Sequence, residues 1–308
     1  MEKAKHLIDG AANAGAQAVK FQMFNANEMF PEKKGPYQLM KSIELKRDWS
    51  QELKAYAEER NCIFSASPFD LHAVDTLQKI DVSFYKIASS ELLNFPLIHK
   101  IAKTGKPAVI STGMSEMSDV IEAVSIFEEL GNRKIALLQC GADYPLAESD
   151  ANLKVIKKYQ DVFNLPVGFS DHTLGNVAAQ TAVGVGARVF EKHITYDKSA
   201  KGPDHSYALE IEEFKSYVDG INRAFISLGE ENKKYLEIER GARRRKSIYL
   251  IENVKKGDKI QEHFLEIRGP YSGIKPCYLR DLIGATADID MVSGECISWE
   301  KISFNGKS

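Results

Sequence analysis

The chain has 308 residues, 44% hydrophobic and 27% charged, values ordinary for a folded globular protein. A formal net charge of -2 excludes a general attraction to nucleic acid or to an anionic membrane surface. No apolar run approaches the length of a membrane span, and the opening MEKAKHLIDG lacks a signal peptide's apolar segment.

The length fits one domain of about 200 to 250 residues followed by a small one. Residues 3–14 carry a helical pattern that Gly15 ends before the strand AVKFQ. The stretch 25–47 has proline, glycine and charge without periodicity and reads as a long excursion above a strand end, a place where function gathers. Residues 48–60 predict a helix opened by Asp48 or Ser50, and CIFSASPF the next strand. DLHAVDTLQKI, NFPLIHKIAKTG, SEMSDVIEAVSIFEELG and NLKVIKKYQDVF read as helices, separated by the strands SFYKIASSE, KPAVISTG and KIALLQCGADYP. PVGFSDHT and RVFEKHI are the last two strands of the series, joined by a helix over LGNVAAQTAVGVGA.

Seven strands separated by helices imply a mostly parallel sheet with both faces covered. Polar residues recur at the strand ends, which favours a (β/α)8 barrel over an open sheet, because in a barrel every strand end faces one centre. The first of eight strands is missing, so the barrel is expected either to continue upstream of Met1 or to have an open seam. Residues 1–229 form this barrel. Residues 230–246, ending in the basic run RGARRRK, read as a solvated linker, and 247–308 as a small β-rich domain with Lys-Gly-Asp and Ser-Gly-Glu turns. The basic run lacks the spaced aromatics of a nucleic-acid site. The four cysteines, Cys62, Cys140, Cys277 and Cys296, match no zinc spacing and read as free thiols in a reducing cytoplasm.

Two strands of a strand, helix, strand unit are parallel neighbours, so His172 and His193 emerge at the same sheet edge and can share one divalent ion. Lys20 and Lys86 lie inside apolar strands, where an ammonium is costly unless an anion offsets it. With Ser67, Ser89, Ser111 and Ser170 near the same rim they make a cradle for phosphate or carboxylate. Glu91 and Asp171 are the candidates for proton transfer, and the set suits polarising a carbonyl while an anionic partner reacts.

NAGAQAVKFQ, SASPF, YKIASSE, KPAVISTGM, GFSDHT, EKH and GPDH, with EIRGP near the C-terminus, resemble the sialic acid synthase family over nearly the whole chain, including its small antifreeze-like (SAF) domain. That family joins phosphoenolpyruvate to an N-acylated mannosamine-type sugar, giving a nonulosonic acid and phosphate. The resemblance implies Mn2+ or Mg2+ on His172 and His193, and phosphoenolpyruvate on Lys20, Ser67, Lys86, Ser89, Ser111 and Ser170. It puts Glu91, Tyr144 and Asp204 toward the sugar, with Arg268 and either Arg244 or Arg245 reaching the site. It also implies a homodimer whose small domain covers the partner's barrel. GPDH is nearer the sialic and legionaminic branches than the pseudaminic one. Two departures stand out: the family's first strand, with its glutamate and Asn-His-Gly turn, is absent, and Ala142 stands where the family has an asparagine near the phosphate. The alternatives are a non-catalytic barrel that binds sugar acids and a related deoxy-sugar-phosphate synthase.

Overall fold

The computed structural model describes residues 1–240 and 245–304, and the chain divides into two compact units, Met1–Gly229 and Glu230–Ser308. In the larger unit seven strands alternate with helices: β1 (Ala18–Met23), β2 (Ile63–Pro68), β3 (Tyr85–Ile87), β4 (Ala108–Ser111), β5 (Ile135–Cys140), β6 (Val167–Asp171) and β7 (Val189–Lys192). β1 pairs with β2 and β3 through β7 pair in sequence order, all in parallel. Between the two sets the Ser65 hydroxyl donates to the Phe84 carbonyl at 2.8 Å. The sheet curls as in a (β/α)8-type barrel, with seven of its strands among the described residues. Its outer face can be buried only by the apolar stripes of the helices, and Leu53, Leu77, Leu97, Ile101 and Phe127 supply them in one core with Phe64, Ile87 and Phe169. Each such fully buried side chain contributes about 2 kcal/mol.

Local chemistry sets the helix ends. The Asp70 carboxylate accepts from Ala73 N at 2.7 Å, and Glu116, rather than Ser115, caps helix Met117–Glu129 in a reciprocal box with Asp119. Gly131, at φ +70, closes that helix. The excursion 25–47 holds more structure than its weak periodicity suggested: helices Ala26–Met29 and Tyr37–Ile43 are tied together by Tyr37 OH donating to Asn27 Oδ1 at 2.8 Å. The last strand of the series breaks at His193, and a short continuation, β8 (Ile194–Thr195), pairs in parallel with the unforeseen β9 (Leu209–Glu210). A two-residue strand leaves no periodic signature. β9 runs into helix Ile211–Leu228, against which the first helix, Glu2–Asn13, packs so closely that a Cβ on Gly10 would meet Ile211 Cδ1 at 2.4 Å.

The smaller unit is β-rich. β10 (Ser247–Leu250) pairs antiparallel with β11 (Leu265–Arg268), and β12 (Thr286–Ala287) with β13 (Ile302–Ser303), around Ile248, Leu250, Ile260, Leu282 and Ile297. The Lys-Gly-Asp and Ser-Gly-Glu turns carry Gly257 and Gly294 at φ +90 and +86. Within 230–246 a short helix, Glu237–Arg240, forms. Arg244 lies outside the described residues. Arg245 stacks its guanidinium over Tyr235 and Tyr271 at 5.8 and 5.4 Å.

Candidate active site

Strand register decides which polar residues meet. Partners across a parallel pair share a face and alternate residues share it along a strand. The pairings Lys20 with Ser65, Lys86 with Val109, Ser111 with Leu138, Cys140 with Ser170 and Ser170 with Glu191 therefore define one face. That face is the barrel interior, and its side chains converge. Lys20 Nζ stands 3.3 Å from Glu191 Oε1, linking β1 to β7, and Lys86 Nζ stands 3.4 Å from Glu191 Oε2. Lys86 also donates to Ser111 Oγ at 2.7 Å, and Ser170 Oγ donates to Glu191 Oε2 at 2.7 Å.

Burial by itself would raise the Glu191 carboxyl, but Lys86, Lys20, the Ser170 hydroxyl and His193 outweigh it and hold the group well below the usual carboxylate range. Burial pulls the Lys86 ammonium down, opposed by Glu191 and reinforced by Lys20. Two cations thus surround one carboxylate, an arrangement open to a further anion. The buried Ser67 hydroxyl has no protein partner, which suits a ligand contact. Ser89 is near by, its hydroxyl accepting from Gly113 N at 2.9 Å. Ala142 offers no side-chain donor.

Continuing the alternation by two residues puts His172 and His193 on the same face, with ring centroids 5.3 Å apart. His172 Nδ1 donates to the Gly141 carbonyl at 2.8 Å, which fixes the tautomer and leaves Nε2 as the free lone pair. Burial, and then Lys20, push the His193 imidazole down to about 4, so it is neutral at pH 7, the form a metal requires. Its Nδ1 faces Asp204 Oδ2 at 3.6 Å. Among the described residues no three His, Cys, Asp or Glu side chains gather as a complete metal-ligating group. Two imidazoles on one face fit a divalent ion that keeps positions for water and substrate oxygen, and an ion there would have to displace the proton that, against burial, Cys140 and the Gly141 carbonyl favour on His172. Tyr144 packs on His172 at 4.3 Å and on Tyr207 at 5.2 Å, and the Tyr207 hydroxyl donates to Asp204 at 2.7 Å, so Tyr144 and Asp204 line the histidine side.

Three sequence candidates stand elsewhere. Asp171 is corrected: it pairs in register with Lys192 on the outer face of the sheet, where its carboxylate binds Lys192 Nζ at 3.2 Å and is fully buried, so it cannot reach a reactant. Glu91, held by Asn94 Nδ2 at 2.8 Å, lines a cleft of about 470 Å³ with Asn25, Glu28 and Asp70. Arg268 belongs to the smaller unit, with its guanidinium 4.8 Å from the Tyr249 ring and 3.7 Å from Glu266. The residue that sequence reasoning passed over is Glu191. Its signal was the shared spacing of Ser170-x-His172 and Glu191-x-His193.

Comparison with known proteins bears on the family and the fold. The NeuB family model matches residues 7–233, and the SAF domain model residues 245–303. An uncharacterized protein of Methanocaldococcus jannaschii is 40% identical over 97% of this chain and 89% of its own. The N,N'-diacetyllegionaminic acid synthase of Campylobacter jejuni is 35% identical over 96% of this chain and 93% of its own. The crystal structure of an N-acetylneuraminic acid (sialic acid) synthetase from Leptospira borgpetersenii is 34% identical, with a TM-score of 0.74, covering 78% of this chain and 84% of that one. Since the matched span runs through every barrel strand, from Lys20 on β1 past His193, the chain belongs to the NeuB family and carries an SAF domain after its barrel.

Proposed function

We propose that this protein condenses phosphoenolpyruvate with the open-chain aldehyde of an N-acylated mannosamine-type sugar, giving a nonulosonic acid of the sialic or legionaminic type and phosphate. The observation that carries the reading is the convergence of Lys20, Lys86 and Glu191 on the interior face that also presents His172 and His193. Family membership and the synthase names of its relatives support it.

Lys20 and Lys86, with Ser67, Ser89, Ser111 and Ser170, bind the anionic groups of phosphoenolpyruvate and orient its C3 toward the aldehyde carbon, replacing a bimolecular search by a positioned encounter. His172 and His193 would hold Mn2+ or Mg2+, which when bound withdraws electron density from the aldehyde oxygen. Tyr144 and Asp204, on the histidine side, bind the sugar. The new bond forms between C3 and the aldehyde carbon, and positive charge collects at C2 of the former phosphoenolpyruvate. Glu191 stabilises that charge and takes a proton from the water that adds there. Once the lysines turn to substrate anions, the carboxylate is freed for this task. The C2–O bond to phosphate then breaks. Of the two protons of the added water, one ends on the former aldehyde oxygen and the other on phosphate. Small-molecule chemistry of this kind suits a reducing cytoplasm, where the four free cysteines stay reduced.

Phosphate release tests the proposal. It should require Mn2+ or Mg2+, phosphoenolpyruvate and an N-acyl mannosamine together. No release above background with either N-acetylmannosamine or its 2,4-diacetamido analogue, in protein shown to be folded, would contradict it.

A further inference from the structure

Behind the two histidines, on the outer face of the same two strands, lies an ion pair that the proposed chemistry does not use. Asp171 immediately precedes His172 and Lys192 immediately precedes His193, and the two are register partners across β6 and β7. Their side chains are 0% and 2% exposed, so no reactant or solvent reaches them. Asp171 Oδ1 accepts from both Thr173 N and Thr173 Oγ1 at 2.8 Å, while Lys192 Nζ stands 3.2 Å from Asp171 Oδ2 and donates to the Thr173 carbonyl. The ammonium therefore grips the residues on both sides of His172 from the residue next to His193. The Tyr217 ring, 5.4 Å from the same ammonium, closes the site on the helix side.

We propose that Asp171 and Lys192 are positioning residues that fix the spacing and direction of the two imidazoles for one divalent ion. The inference rests on the metal reading of His172 and His193. A buried ion pair is weak support for stability, because an apolar pair of similar volume usually does as well. What an apolar pair cannot reproduce is the bond from Lys192 to the backbone just past His172. The pair acts through the histidines and touches no substrate.

The test is a Mn2+ titration by calorimetry on the full chain, beside circular dichroism, with the double variant D171N/K192M. No buried charge is left unpaired in it, and the amide oxygen that D171N introduces still accepts from Thr173. Binding about tenfold to a hundredfold weaker than wild type at unchanged fold is expected, the range for residues that orient metal-bound histidines, and restoring the donor in D171N/K192R should recover part of it. If the double variant does not fold, Lys192→Gln alone is expected to weaken Mn2+ binding in the same sense. Wild-type affinity in the folded double variant, or in folded Lys192→Gln, overturns the positioning role. H172A and H193A in the same titration separate the two ideas: undiminished affinity there overturns the metal reading and the clamp together, whereas loss there with full affinity in the pair variants overturns the clamp alone.

Discussion

Glu191 governs the charge balance of the barrel interior, since it is the one carboxylate within 3.5 Å of both Lys20 and Lys86 among the described residues. Replacing it by glutamine keeps the shape and removes the charge. E191Q should lower turnover by about a hundredfold or more, the scale of a lost proton acceptor, and leave buried Lys86 without a counter-ion; turnover within about threefold of wild type would take Glu191 out of the chemistry. His193 gives a pH prediction. Its folded value of about 4 lies below the ordinary 6.5, so the unfolded chain binds the proton first. Its contribution to stability is complete above about pH 6.5 and is lost as pH falls to about 4, roughly 3 kcal/mol in metal-free protein. Denaturant unfolding of H193Q should lack this part of the slope; identical profiles would show that the imidazole is not held neutral. The histidines, lysines and serines were legible as chemistry because each is costly where it stands. Asp171 and Glu191 were misjudged for one reason: neighbours in sequence were read as neighbours in space, although adjacent strand residues face opposite ways. Asp171, next to a candidate ligand, lies behind the sheet, while Glu191, two residues before another, lies at the centre.

At the scale of elements, the interior constellation exists only in the observed register of β6 and β7, since a slip of one residue would exchange Ser170 and His172 for Asp171. Gly168 holds that register by allowing close approach: a Cβ there would stand 1.9 Å from the Val189 carbonyl oxygen. Gly168→Ala must therefore push the backbones apart, at a cost of about 2 kcal/mol or more, with Mn2+ affinity falling beside stability. A folded variant with unchanged stability would show that register is set elsewhere. The seven strands and their helices could be read from the sequence, because alternating apolar runs and capping residues mark them. β9 and the two helices of the excursion 25–47 could not, being too short for a period and held by single contacts such as Tyr37 to Asn27.

At the scale of the molecule, the two ends of the strand series are tied together by contacts that no local pattern announces: the ion pair from Lys20 to Glu191 inside, and the first helix packed on Ile211–Leu228 outside. The smaller unit carries Arg268, and we propose that it serves the barrel of a partner in a homodimer. Mixing R268A subunits with H172A subunits would then create one intact site per heterodimer, so activity should reappear; exchange without recovery would reject the crossed arrangement. The most direct test of the account as a whole is the complete reaction run in water enriched in oxygen-18, with mass spectrometry of both products. Water that adds at C2 leaves with the sugar acid, so the account predicts a labelled nonulosonic acid beside phosphate that carries no label. Labelled phosphate, or phosphate without the acid, would contradict it.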